Sequence, residues 1–302
     1  MKVFIAGGSG YIGRVLVRQL SLAGHECRVM CRNPELERQR LVGEKNIYPV
    51  RGDIVDYSTN QLAQLIGKSD ALINLVGIIT EKGTAGFEKI HTEGTRRLSL
   101  ASEQAGVNRF VQMSALGTRE SAVSKYHQTK WEAESFVRTM DFNWTIFRPS
   151  IVFGQEDEFL NVFAGMARLL PVLPLIGGGH SKLQPIWVED VCHCFVKSLD
   201  MPETFGKTYD QGGNHVFSLK ELIELVVKSI GKKRFLAPLP FPIATAQAKF
   251  FKLLPIKPPF TEDQITMLKE DNVCDSSEMK EVFNIQPLSM IAYLEKKFGT
   301  KI

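Results

Sequence analysis

Residues 5–13 read IAGGSGYIG. Gly7, Gly10 and Gly13 recur every third position, directly after the apolar run Lys2 to Ala6 and at the head of a helix-periodic stretch, Tyr11 to Ala23, that closes at Gly24. A strand that turns into a helix through glycines at this spacing constrains the chain strongly. One glycine allows the tight turn, one lets backbone approach a ligand, and one lets strand and helix pack closely. The helix start then offers unpaired N–H groups and a partial positive charge to an anion. The ligand this turn suits is the pyrophosphate of a dinucleotide, cradled by Gly7, Ser9, Gly10, Tyr11, Ile12 and Gly13.

Beyond the turn, short β-branched runs alternate with helical ones. Strands are expected at Glu26 to Cys31, Ile47 to Val50, Ala71 to Val76, Arg109 to Ser114 and Trp144 to Phe147. Helices are expected at Asn60 to Ile66, Phe87 to Ala105 and Tyr126 to Thr139. This rhythm predicts an α/β fold: a Rossmann-type, doubly wound parallel sheet with helices on both faces. The 302 residues are too many for one small core and imply a second lobe. The reading places a dinucleotide-binding domain at 1–150, rejoined by 183–200, and a smaller, helix-rich C-terminal substrate or partner lobe at 151–302. Ser218 with Glu221, and Thr261 with Gln264, have capping-box spacing and should open helices in that lobe.

The formal net charge of +4 is too small to argue for a nucleic-acid partner. The one basic cluster is Lys232, Lys233 and Arg234. The five cysteines lack disulfide-framework or zinc-site spacing, and no metal site is expected. Cys192 and Cys194 are two apart on a helix and point to different faces. No apolar run is long enough for a signal segment or a membrane span. The expected location is cytoplasmic, with a peripheral position on the inner face of a membrane as the extension of that reading.

The residues after the strands select ligand and chemistry. Where an NAD(H) site places an acid after the second strand, this chain has Cys31-Arg32-Asn33-Pro34. Arg32, assisted by Arg14 in the first helical turn, suits a 2′-phosphate, which favours NADP(H) over NAD(H). Asp53 and Ile54 follow the third strand, Asp53 as a partner for the adenine amino group or as a turn residue. Val76 and Gly77 follow the fourth, where a glycine permits close approach. Ser114 ends the fifth strand. Tyr126 and Lys130, at i and i+4, share a helix face. A neighbouring ammonium lowers a phenol's pKa and prepares it to exchange a proton with a carbonyl or hydroxyl. Lys130 also suits the nicotinamide ribose, and Pro149, just after the sixth strand, completes the cofactor set.

In this order the turn, Asp53, Asn74 to Gly77, Ser114 and Tyr126-x-x-x-Lys130 resemble the short-chain dehydrogenase/reductase superfamily. FRPSIVFG at 147–154 and QPIWVEDV at 184–191 are similar to stretches of the extended and atypical branches, and SALG at 114–117 and TEDQITMLKEDNV at 261–273 are similar to one atypical subgroup. That subgroup includes the NAD(P)H-binding accessory subunit of respiratory complex I and its prokaryotic relatives. The resemblance implies a Rossmann-type domain with a small C-terminal lobe. It also implies that an intact Ser-Tyr-Lys set does not by itself establish turnover, because the accessory subunit holds NADPH as a structural ligand.

Three functions fit these residues. The intact set Ser114, Tyr126 and Lys130 favours an NADP(H)-dependent oxidoreductase acting on a carbonyl or hydroxyl of a small or lipid-like molecule. The alternative is a non-catalytic NADPH-binding accessory or assembly module of a respiratory complex I-type assembly. The third is a sugar-nucleotide epimerase or dehydratase. The apolar, basic segment 235–260 either contacts a membrane surface or respiratory complex, or lines the substrate cleft or closes the small lobe.

Overall fold

The computed structural model describes residues 1–81, 83, 86–252 and 260–299. The chain divides into two compact units: Met1–Arg148 with Val188–Asp210, and Pro149–Trp187 with Gln211–Ile302.

The first unit alternates strand and helix: β1 (Lys2–Ala6), α1 (Tyr11–Leu22), β2 (Glu26–Cys31), α2 (Pro34–Arg40), β3 (Ile47–Arg51), α3 (Thr59–Ile66), β4 (Ala71–Asn74), α4 (Glu93–Gln104), β5 (Arg109–Met113), α5 (Lys125–Thr139) and β6 (Asn143–Pro149). Among the described residues seven strands form one sheet, in the order Lys207–Gln211, β6, β5, β4, β1, β2, β3. The registers from β3 across to β6 are parallel. At the outer edge, Gly206 N–H donates to Trp144 O and Ser150 N–H to Gln211 O. The two partners advance together, so this pairing is parallel too. The order reverses on either side of β1, the doubly wound arrangement that the alternation of elements predicts. Such sheets are covered on both faces, and β1, β4 and β5 are accordingly buried almost throughout.

Local chemistry explains the element ends. α3 opens on a capping box in which Ser58 Oγ accepts from Gln61 N–H and Gln61 Oε1 accepts from Ser58 N–H. α2 was not legible as a helix: Pro34 reads as a break, yet it occupies the first turn, where no N–H is needed, and Asn33 caps it by accepting from Leu36 N–H. The stretch expected as a single helix from Phe87 is two pieces, a π-helical turn at Glu88–Thr92 running into α4.

α5 is fastened to the sheet by charge. Glu134 is fully buried. Its Oε1 accepts from Arg148 Nε at 2.8 Å and its Oε2 from Arg148 Nη2 at 2.6 Å, a bidentate bond from β6 to the helix. Arg138 adds a bond to Glu134 Oε2 at 2.9 Å and one to Thr208 Oγ1 at 3.0 Å. Burial alone would lower the Arg148 pKa. The Glu134 hydrogen bond and charge, with Asp210, outweigh it and hold the guanidinium above its ordinary value.

The second unit packs helices Glu158–Leu169, Leu219–Ser229 and Met290–Phe298 around Phe153, Phe163, Leu222, Ile223 and Leu294. Both expected capping boxes form: Ser218 with Glu221 and Thr261 with Gln264. In the segment 235–260, Phe235–Leu239 pairs in parallel with Val172–Ile176. Helix Phe241–Lys252 buries Ala244 and Ala248 against Ile176 and Ile265. Residues 253–259 of that segment lie outside the described residues. Among the described residues, no helix is long and apolar enough to cross a membrane.

Removing one partner of a buried pair strands the other charge. Glu134→Gln is therefore expected to cost about 3 kcal/mol in urea denaturation. Arg138→Gln, at a partly exposed position, should cost less than about 1 kcal/mol. Equal effects from the two variants would show that the Arg148 bond does not dominate the cluster.

Candidate functional site

The glycine turn is built around contacts that a side chain would block. Gly7 sits at φ +82° and lies against the backbone after β4, where an added Cβ would be 3.0 Å from Leu75 C and Val76 N. At Gly13 a Cβ would stand 2.6 Å from Gly8 Cα and C, so α1 rests directly on the turn. α1 is capped by Gly10 with no side-chain hydrogen bond, and its first turn carries no acid. Its leading N–H groups are thus left for an outside acceptor. Arg14 Nη1 donates to Ser9 O at 2.7 Å and braces the turn. Tyr11 and Ile12, half-buried, follow on α1. This cradle fits a dinucleotide pyrophosphate.

Around the cradle, Arg32 is exposed at the end of β2, and no ion pair joins it to a described residue. Asp53 is half-buried and its Oδ1 accepts from Val55 N–H at 2.7 Å, so one carboxylate oxygen holds the turn after β3. Ile54 is buried in the core beside Gly94. Asn74, fully buried, accepts from Val76 N–H at 3.0 Å and donates to Thr95 and Gln112, which fixes the path from β4 into Gly77. Pro149 is buried at the end of β6.

The Ser, Tyr and Lys positions gather where β4 and β5 end. Lys130 is 3% exposed. Its Nζ donates to Met113 O at 3.4 Å, next to Ser114, and a Cβ on Gly77 would lie 2.9 Å from it. Ser114 is buried; its N–H donates to Phe147 O, and its hydroxyl lies 3.4 Å from that of Thr118. Tyr126 is half-buried one turn before Lys130, its ring edge-on to Phe87, His91 and His127. His127 Nδ1 lies 2.9 Å from Ser124 Oγ, and its ring covers Gly117, bringing the 114–117 loop beside the start of α5.

Sequence reasoning missed His91. Its Nε2 accepts from Ile78 N–H at 3.1 Å, so the proton sits on Nδ1, which faces Thr129 Oγ1 at 3.0 Å. Thr129 in turn donates to Lys125 O or Tyr126 O. Burial, and then the Lys130 charge, push the His91 pKa down to about 2. A permanently neutral imidazole therefore ties the loop after β4 to α5. Its only advance signal was a histidine on the helix before the catalytic-type motif, too generic to single out.

Burial also pushes the Lys130 ammonium down to about 8, countered in part by Glu134. Keeping it charged inside the fold at neutral pH costs on the order of 3 kcal/mol. Cys192 and Cys194 are buried, the first with Sγ toward Ile12 O, and burial drives the Cys192 thiol far up.

Lys130→Met is expected to stabilise the cofactor-free protein at pH 7 by about 1–3 kcal/mol in urea titrations. Between pH 8 and 10.5 the unfolded chain keeps the Lys130 proton that the folded chain has released, so wild-type stability rises with pH and the advantage of the variant shrinks. A variant less stable than wild type at pH 7 would show that the buried cation is not a net burden.

Comparison with known proteins agrees with this geometry. A family model described as NAD(P)H-binding matches residues 7–162. NADH dehydrogenase [ubiquinone] 1 alpha subcomplex subunit 9 of Arabidopsis thaliana is 33% identical over 289 residues, 91% of this chain and 71% of that protein. A ceramide reductase of Caulobacter vibrioides is 30% identical over 82% of this chain and 76% of its own length. Among solved structures, a nucleoside-diphosphate-sugar epimerase of Staphylococcus aureus superposes with a TM-score of 0.79 over 98% of this chain and 100% of its own, at 16% identity, which shows a shared fold. Glycine cradle, sheet order and sequence agree: the chain belongs to the NAD(P)H-binding family, as an atypical short-chain dehydrogenase/reductase similar along most of its length to the complex I subunit.

Proposed function

We propose that the protein is an NADP(H)-dependent oxidoreductase acting on a carbonyl or hydroxyl of a small, lipid-like molecule. The observation that carries this reading is the buried Lys130 ammonium, held beside Gly77 and Met113 O on the helix face of Tyr126. A costly buried cation with one long hydrogen bond is suited to ligand hydroxyls and to a neighbouring phenol. When bound, the dinucleotide would supply or accept the hydride. Tyr126 gives a proton to the substrate oxygen in reduction and takes it back in oxidation. Lys130 lowers the cost of the phenolate and binds ribose hydroxyls. Ser114 donates a hydrogen bond to the substrate oxygen. Arg32, exposed and unpaired among the described residues, recognises the 2′-phosphate. The ceramide reductase relative supports a lipid-like substrate.

A second reading, a non-catalytic NADPH-holding accessory or assembly module of a respiratory complex I-type assembly, is favoured by the 33% identity to the complex I subunit. Turnover separates the two. Tyr126→Phe should lower NADPH oxidation with long-chain keto-lipid substrates by at least about a thousandfold and leave NADPH affinity within a few-fold of wild type. Turnover retained in that variant would sink the assignment of Tyr126. A wild type that binds NADPH tightly and turns over no such substrate would favour the accessory reading.

Cofactor choice has its own test. Losing a charge-assisted bond to phosphate costs about 1.5–3 kcal/mol. Arg32→Ala should thus weaken NADPH binding by roughly ten- to a hundredfold in calorimetry and leave NADH binding nearly unchanged. Equal losses for both nucleotides would remove Arg32 as the phosphate reader.

A further inference from the structure

The second unit carries a surface patch that the dinucleotide chemistry does not use. Helix Glu158–Leu169 ends in Arg168 and Leu169, and Leu170, Pro171 and Val172 follow. Leu169 is 84% exposed, and Leu170 and Val172 are each 44% exposed. Phe235, 68% exposed, is the register partner of Val172, and its N–H donates to Pro171 O at 3.1 Å. Arg234 Nε donates to Ala167 O at 2.7 Å, which ties the turn before Phe235 to the end of the helix. Four exposed apolar side chains from two separate segments therefore share one spot.

Their surroundings are basic. The two segments forming the spot, 165–172 and 226–236, contain Arg168, Lys228, Lys232, Lys233 and Arg234 and no acidic residue. Lys228, Lys232 and Lys233 are exposed, and the turn holding them is fixed by Gly231 N–H to Lys228 O and Lys232 N–H to Val227 O.

We propose that this patch seats the protein on an anionic lipid bilayer. Leu169, Leu170, Val172 and Phe235 enter the headgroup–acyl boundary, and the exposed Arg168, Lys228, Lys232 and Lys233 contact the phosphates. Charge complementarity decides between occupants. Protein interfaces are depleted of lysine and bury their apolar centre within a broad, close-fitting surface. Here a few isolated apolar tips rise from a lysine-rich rim, the pattern of a surface that dips shallowly into lipid while long basic chains reach the headgroups. Each cation near an anionic surface adds a roughly additive, salt-sensitive increment of attraction. The proposal is independent of whether the nucleotide site turns over.

The test is co-sedimentation of the full chain with vesicles of phosphatidylcholine alone and of phosphatidylcholine with an equal part of phosphatidylglycerol. Wild type should bind the anionic vesicles, release them as salt is raised, and ignore the neutral ones. Lys232→Gln with Lys233→Gln should weaken binding on the order of ten- to thirtyfold. Leu169→Ser with Phe235→Ser should weaken it as well and make the remainder fully salt-reversible. All four positions lie on the surface, so unchanged thermal unfolding and NADPH affinity would verify that the variants are folded. Wild type that binds neither vesicle overturns the proposal and leaves a protein as the partner. Binding indifferent to lipid charge, or to both double substitutions, overturns it equally.

Discussion

The bond between Glu134 and Arg148 is the constraint on which the arrangement of this molecule turns. α5 carries both Tyr126 and Lys130, and its position relative to the ends of β5 and β6 decides whether those side chains meet anything. Apolar packing could hold the helix against the sheet and still let it slide or rotate. A bidentate guanidinium–carboxylate pair admits one geometry, and it is buried, so losing it leaves charge stranded. Arg138 adds a third bond that reaches Thr208 on the outermost strand. Glu134 also lies one turn beyond Lys130 on the same helix, and its charge is what keeps the Lys130 ammonium from being driven lower still. One carboxylate thus fixes the helix and supports the cation.

Much of this was legible in the sequence, for reasons that separate cleanly. Glycine spacing exposed the cradle because close backbone approach at Gly7 and Gly13 leaves few other residues possible. The capping boxes at Ser218 and Thr261 were legible because both partners lie within four residues of each other. The helix at Pro34–Arg40 was not, because proline signals a break and a helix start alike. His91 stayed hidden for another reason. It lies on a π-turn, where the 3.6-residue period fails, and its partners Ile78 and Thr129 are 13 and 38 residues away. Glu134 and Arg148 were each visible as charges, but nothing local says that a carboxylate inside one helix faces an arginine on the next strand.

The site residues follow the same division. Tyr126 and Lys130 could be paired in advance because helical geometry sets i and i+4 on one face. That Lys130 would meet Gly77 and Met113 O depends on strands β4 and β5 being neighbours, and the topology alone supplies that. Asp53 shows the limit from the other side. Its position after β3 was foreseen, and so was its dual reading. In the structure one of its carboxylate oxygens is already spent on Val55 N–H, so any ligand would have to share a turn residue.

These facts bear on why one site can serve either as an enzyme or as a structural holder of its nucleotide. A buried ammonium with one long hydrogen bond destabilises the folded chain, and a ligand whose hydroxyls complete its bonding relieves that cost. Occupancy then stabilises the protein in proportion to the logarithm of ligand concentration over Kd. On the proposed reading that linkage runs through Lys130 and the glycine cradle, with His91 tying the loop after β4 to α5. It does not need a phenol. A protein that kept the nucleotide only as a brace would need Tyr126 and Ser114 for their packing and not for their hydroxyls. Here both persist, with the phenol ring edge-on among Phe87, His91 and His127 and the serine hydroxyl one residue past the carbonyl that holds Lys130. Nucleotide binding alone would account for the lysine, and the proposed proton transfer to a substrate oxygen would give the tyrosine and the serine a part as well.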